Sequence, residues 1–89
     1  MDKFHVLVIA PEHYEMFRQV LHNYIPDSYD RWLRHRADER ANLAGKGYEV
    51  VGVEINMNEF IGYCDRAGAK RDIHTLRGIV QLKGTGQPY

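Results

Sequence analysis

The sequence predicts a small α/β (or α+β) domain of two layers, in the order strand, helix, helix, strand, helix, helix. Three observations carry this reading. Two short runs, FHVLVI at 4–9 and YEVVGVEI at 48–55, are rich in the β-branched and aromatic residues that fit a pleated surface. The segments after each run repeat apolar residues at spacings of three and four, the helical period. Proline and glycine punctuate the junctions. With 89 residues the chain fits one domain, expected over residues 1–84, with residues 85–89 as a flexible tail.

The first strand, Phe4 to Ile9, is apolar on both sides. Phe4, Val6 and Val8 share one face; His5, Leu7 and Ile9 share the other. Such a strand is covered twice or lies in an interface. Ala10 and Pro11 end it, and Pro11 suits a first helical turn, where its missing N–H costs nothing. Tyr14, Phe17, Leu21 and Tyr24 then give one apolar face as far as about Asn23, before Ile25-Pro26 breaks the helix.

Asp27 or Ser28 can cap the second helix, which runs to about Ala44. Its predicted inner stripe is Tyr29, Leu33, Ala37, Ala41 and Ala44, with Trp32 beside it. Gly45-Lys46-Gly47 closes it. The second strand places Val51, Val53 and Ile55 on one side and Val50, Gly52 and Glu54 on the other. Asn56 then caps a helix, and Glu59 three residues on completes the spacing of a capping box. Phe60, Tyr63, Cys64 and Ala67 face inward, and Gly68 stops the helix. Asp72 caps the last helix, whose inner residues are Ile73, Leu76, Ile79 and Val80. Two strands make a poor self-sufficient sheet, so helical cover or a dimer partner is expected to complete it.

Charge narrows the function classes. Twelve Lys and Arg balance twelve Asp and Glu, and the balance holds in both halves of the chain. There is no basic arm to steer nucleic acid by a general field. The apolar runs are too short to span a bilayer, and the amino terminus does not read as a secretory signal. One cysteine, Cys64, allows no disulfide within the chain. A cytoplasmic protein without membrane contact is the resulting expectation.

Several residue sets could carry function. Glu54, at the end of the second strand, has Asn56, Asn58 and Tyr63 close in sequence; strand ends in open α/β sheets favour ligand pockets. Tyr29, Trp32 and Leu33 bring aromatic bulk of the kind that anchors protein interfaces. Arg31, Arg34, Arg36 and Arg40, with His35, make a basic patch on the second helix, interrupted by Asp30, Asp38 and Glu39. A metal cluster from His5, Glu12, His13, Glu15 and His22 lacks any compact ligand spacing, so no metal or other cofactor is expected. Cys64 with His74 could form a nucleophile and base, but Cys64 lies on the apolar face of its helix. The glycines around Lys46 precede a strand and so do not form a phosphate loop.

The leading expectation is a non-catalytic interaction or homo-oligomerisation domain, whose partner is itself or another protein. A small ligand-binding domain or enzyme centred on Glu54 is the alternative. Nucleic-acid binding through the arginine-bearing helix is third.

Overall fold

The structure, a computed structural model, describes residues 2–21 and 24–89. It is a two-layer α/β domain with an open, incomplete sheet. The order is β1 (Lys3–Val8), α1 (Pro11–Val20), α2 (Tyr29–Gly45), β2 (Glu49–Glu54), α3 (Met57–Ala67) and α4 (Ile73–Gly84). This is the strand and helix order that the sequence predicts.

β1 and β2 pair in parallel, with Lys3 opposite Glu49 and Val8 opposite Glu54. Parallel pairing needs a long crossover between the strands, and α1 and α2 supply it. One sheet face carries Leu7, Ile9, Val53 and Ile55, all buried. It packs into one cluster with Phe17 of α1, Phe60 and Cys64 of α3, and Leu76, Ile79 and Val80 of α4. Phe17, Phe60, Ile55, Leu76 and Ile79 are fully enclosed. At about 1.5–3 kcal/mol per enclosed large side chain, this cluster is the main source of stability.

Local signals fix the helix ends. Ser28 Oγ accepts the Arg31 N–H at the start of α2. Asn56 Oδ1 accepts the Glu59 N–H at 2.8 Å, and Glu59 Oε1 accepts the Asn56 N–H at 3.1 Å, so the capping box closes. Gly68 ends α3 with φ 62°, the left-handed conformation that favours glycine. Asp72 Oδ1 accepts the Thr75 N–H at the start of α4. That bond, with burial opposing it, holds the Asp72 carboxyl below its ordinary pKa.

Three expectations need correction. The inward stripe of α2 is rotated: Ala37, Ala41 and Ala44 are exposed, as is Leu33, and Trp32 is the helix's buried residue. Three alanines bury little area, whereas one indole buries far more, so Trp32 sets the rotation. Arg36 follows it, stacking its guanidinium 4.5 Å from the Trp32 ring centre. α1 is shorter than its apolar spacing suggests: it ends at Val20, and Tyr24 beyond it is exposed. Asn23, where that helix was expected to stop, lies outside the described residues. Ala67 on α3 is exposed, and Met57 is buried in the core instead.

The end of the chain carries an anchor that its composition does not announce. Tyr89 packs against the core cluster and donates its hydroxyl to Glu59 Oε2 at 2.6 Å. Lys83 Nζ donates to the same carboxylate oxygen at 2.7 Å and to the Glu54 C=O at 2.8 Å. Burial works against charge on Glu59, but the bonds from Lys83, Tyr89 and the Asn56 N–H outweigh it and lower its pKa. The same carboxylate raises the pKa of Lys83 and of Tyr89. Glu59 thus joins the α3 cap, the end of α4 and the last residue.

Candidate functional site: the groove along the free edge of β1

Among the described residues β1 pairs along one edge only, in a sheet of two strands. In an extended strand, the N–H and C=O of one residue point to one side and those of the next to the other. Asp2 C=O accepts from Glu49 N–H, and Val8 C=O accepts from Ile55 N–H. Phe4, Val6 and Val8 therefore turn their backbone groups to β2. His5, Leu7 and Ile9 turn theirs away, toward the free edge.

Side chains meet two of these outward carbonyls. Gln81 Nε2 donates to His5 C=O at 3.2 Å, and Tyr29 Oη donates to Ile9 C=O at 2.6 Å. Burial of Tyr29 raises its pKa, which keeps the phenol in the donor form. Between those two caps, no hydrogen bond among the described residues reaches the outward N–H or C=O of Leu7.

A groove of about 660 Å³ runs along this edge, with Phe4, His5, Val6 and Leu7 as its floor. Trp32, Arg36 and Leu43 of α2 form one wall; Ile73, Arg77 and Gln81 of α4 form the other. Contacts from the two helices reach opposite faces of the sheet. Arg40 of α2 lies against Gly52, on the face of Val6 and Val8, and Gly84 of α4 lies against His5, on the face of Leu7. Because both helices reach the groove, the edge between them is recessed, and its lining mixes apolar side chains with His35, Arg36, Glu39, Arg77 and Gln81.

The charges on the two walls differ. On α2, Arg36 pairs with Glu39 at 3.3 Å, and its Nε is a buried donor with no acceptor among the described residues. On α4, Arg77 is exposed and forms no ion pair among the described residues. Ile73, His74, Val80 and Gln81 stand three and four residues from it, so no carboxylate neighbours it along the helix.

The residues singled out from sequence fall into three groups. Tyr29 and Trp32 do belong to the region of the groove, but as structural parts. Tyr29 caps the edge and meets Tyr14 edge-on at 5.0 Å, while Trp32 is a buried wall. Leu33 is exposed on the outer side of α2 and does not line the groove. Glu54 and Asn58 are exposed, Tyr63 is half-buried, and the Asn56 side chain is engaged in its cap. None of these four lines the groove.

The arginines do not share one surface. Arg31 pairs with Asp27 at 3.6 Å on the outer side of α2, where Arg34 is also exposed. Arg36 and Arg40 turn instead toward Trp32 and the sheet. Burial pushes the Cys64 thiol up in pKa, so it behaves as a core residue and not as a poised thiolate. Among the described residues no group of three or more His, Cys, Asp or Glu side chains could hold a metal ion, and His22 lies outside them. No helix among them is long and apolar enough to cross a membrane.

Sequence reasoning missed Leu43, Arg77 and Gly78 as groove residues. An arginine without a helix-neighbour carboxylate, next to a mid-helix glycine, was the available signal. Comparison with protein-family models, with curated proteins and with solved structures gave no match.

Proposed function

We propose that this domain is a protein-interaction module that completes its two-stranded sheet by accepting an additional strand at the β1 edge. The observation that carries this is the outward-facing Leu7 N–H and C=O at the floor of the groove. Unpaired strand edges are templates for pairing, and natural folds cover or charge them. Strand addition obtains affinity from main-chain hydrogen bonds and specificity from side chains that enter flanking pockets. The groove walls offer such pockets on both sheet faces.

A substitution at Gly78 tests this without touching the core. A Cβ added there meets nothing within 4 Å, and the residue lines the groove. Panning a random peptide library on the immobilised protein should enrich extended segments that bind Gly78→Ala but not Gly78→Trp, whose indole fills the groove. If no segment is enriched, or if enriched segments bind Gly78→Trp equally well, the edge is not the binding site.

A further inference from the structure

The chemistry of the groove narrows the occupant, on the reading that the β1 edge accepts a strand. A strand laid beside β1 would alternate its side chains between the two sheet faces. Those on the face of Phe4 and Val6 would meet Trp32 and Leu43 of α2. That wall also carries His35, Arg36 and Glu39, and there the Arg36 guanidinium and the Glu39 carboxylate are paired with each other. Those on the other face would meet α4, where Arg77 stands exposed and free of any ion pair among the described residues. Gln81 beside it gives one of its two amide N–H groups to the His5 carbonyl, so Arg77 is the cationic donor of that wall.

We propose that the groove binds an extended segment whose residues alternate between apolar and acidic side chains. The apolar set packs on Trp32 and Leu43, and a carboxylate pairs with Arg77. A second copy of β1 does not have this chemistry. Lys3–Val8 contains Lys3 and His5 and no carboxylate, so edge-to-edge pairing of two copies brings no carboxylate of β1 to Arg77. The recess also favours a bare strand. A second copy's β1 would arrive flanked by its own α2 and α4, each about 10 Å across with side chains, whereas neighbouring strands pair at about 4.8 Å.

Fluorescence anisotropy with end-blocked, labelled heptapeptides tests the assignment. One peptide alternates Val with Glu, one alternates Val with Lys, and one is the acidic peptide with a central proline. The acidic peptide should bind at least about fivefold more tightly than the lysine peptide, the scale of an exposed ion pair gained or lost. Arg77→Glu should reverse that order, the proline should abolish binding, and Gly78→Trp should abolish it for every peptide.

Equal affinity for the acidic and lysine peptides, with Gly78→Trp still blocking both, would overturn the acidic assignment and leave strand addition standing. If no peptide binds and light scattering shows a dimer that Gly78→Trp returns to monomer, the occupant is a second copy and the assignment fails. A strict monomer that binds none of the peptides overturns the acidic assignment, and with an empty library screen it overturns strand addition as well.

Discussion

The two faces of the sheet are built differently. Leu7, Ile9, Val53 and Ile55 lie under α1, α3 and α4 in one continuous core. Val6 on the opposite face is also buried but stands outside that core cluster. α2 is the longest helix, at 17 residues, yet Trp32 is its buried residue. The closed face holds the fold together by packing. The groove lies beside the strand edge, and Leu7, Trp32, Ile73 and Val80, which line it, belong to the same core cluster. Packing is concentrated on one face of the two strands, while the groove lies at the β1 edge between α2 and α4.

Substitutions that treat the two faces alike should have unlike effects. The largest effect is expected in the closed core. Phe60→Ala removes a fully enclosed ring that lies 5.9 Å from Phe17, and should cost about 3–5 kcal/mol in urea unfolding. Leu33→Ala, on the exposed side of α2, should stay within about 0.5 kcal/mol of the parent. A large loss from Leu33→Ala would show that the outer side of α2 is covered in solution.

Two glycines of α4 offer a sharper contrast, because they sit on the same helix with different surroundings. A Cβ at Gly84 would lie 2.5 Å from His5 Cδ2 and 2.7 Å from its Cγ. Gly84→Ala must displace the His5 ring and should destabilise by about 1–3 kcal/mol. Gly78 faces open space, so Gly78→Ala should stabilise by about 1 kcal/mol through helix propensity. Thermal melts of the pair read opposite signs if the α4 wall stands away from α2 as described.

A small effect belongs to the Glu59 anchor, and its size depends on pH. Glu59 has a folded pKa below its ordinary value, so its contribution is present above about pH 4.3 and disappears as pH falls through the folded value. Lys83 has a raised folded pKa, so its contribution is complete below about pH 10.4 and disappears as pH rises through the folded value. The stability difference between the parent and Glu59→Gln should therefore be flat from about pH 6 to pH 9. It should shrink in acid, and stay under about 1 kcal/mol because both groups are partly exposed. Chemical denaturation across pH measures it.

Much of the closed face was legible in the sequence because its signals are local. The Asn56–Glu59 spacing, the Gly68 stop and the α4 residues Ile73, Leu76, Ile79 and Val80 all depend on neighbours within one or two helical turns. The rest was less legible. The alanine stripe of α2 has helical periodicity but too little area to compete with Trp32, so period alone pointed to the wrong side. Tyr89 could not be read as an anchor without knowing that Glu59 lies beside it, thirty residues away in the chain. The groove depends on the distance between α2 and α4, which no spacing within either helix encodes. Tyr29 and Trp32 were named for their aromatic bulk; their work at the edge follows from tertiary placement.

Residue-resolved amide hydrogen exchange along β1 tests the open edge most directly. In the isolated chain the Val6 and Val8 amides, which face β2, should exchange slowly, while the Leu7 amide between them should exchange much faster. An added strand that occupies the groove should slow Leu7 to the rate of its neighbours. Equal protection of Val6, Leu7 and Val8 in the isolated chain would contradict the account, because the edge would then already be paired.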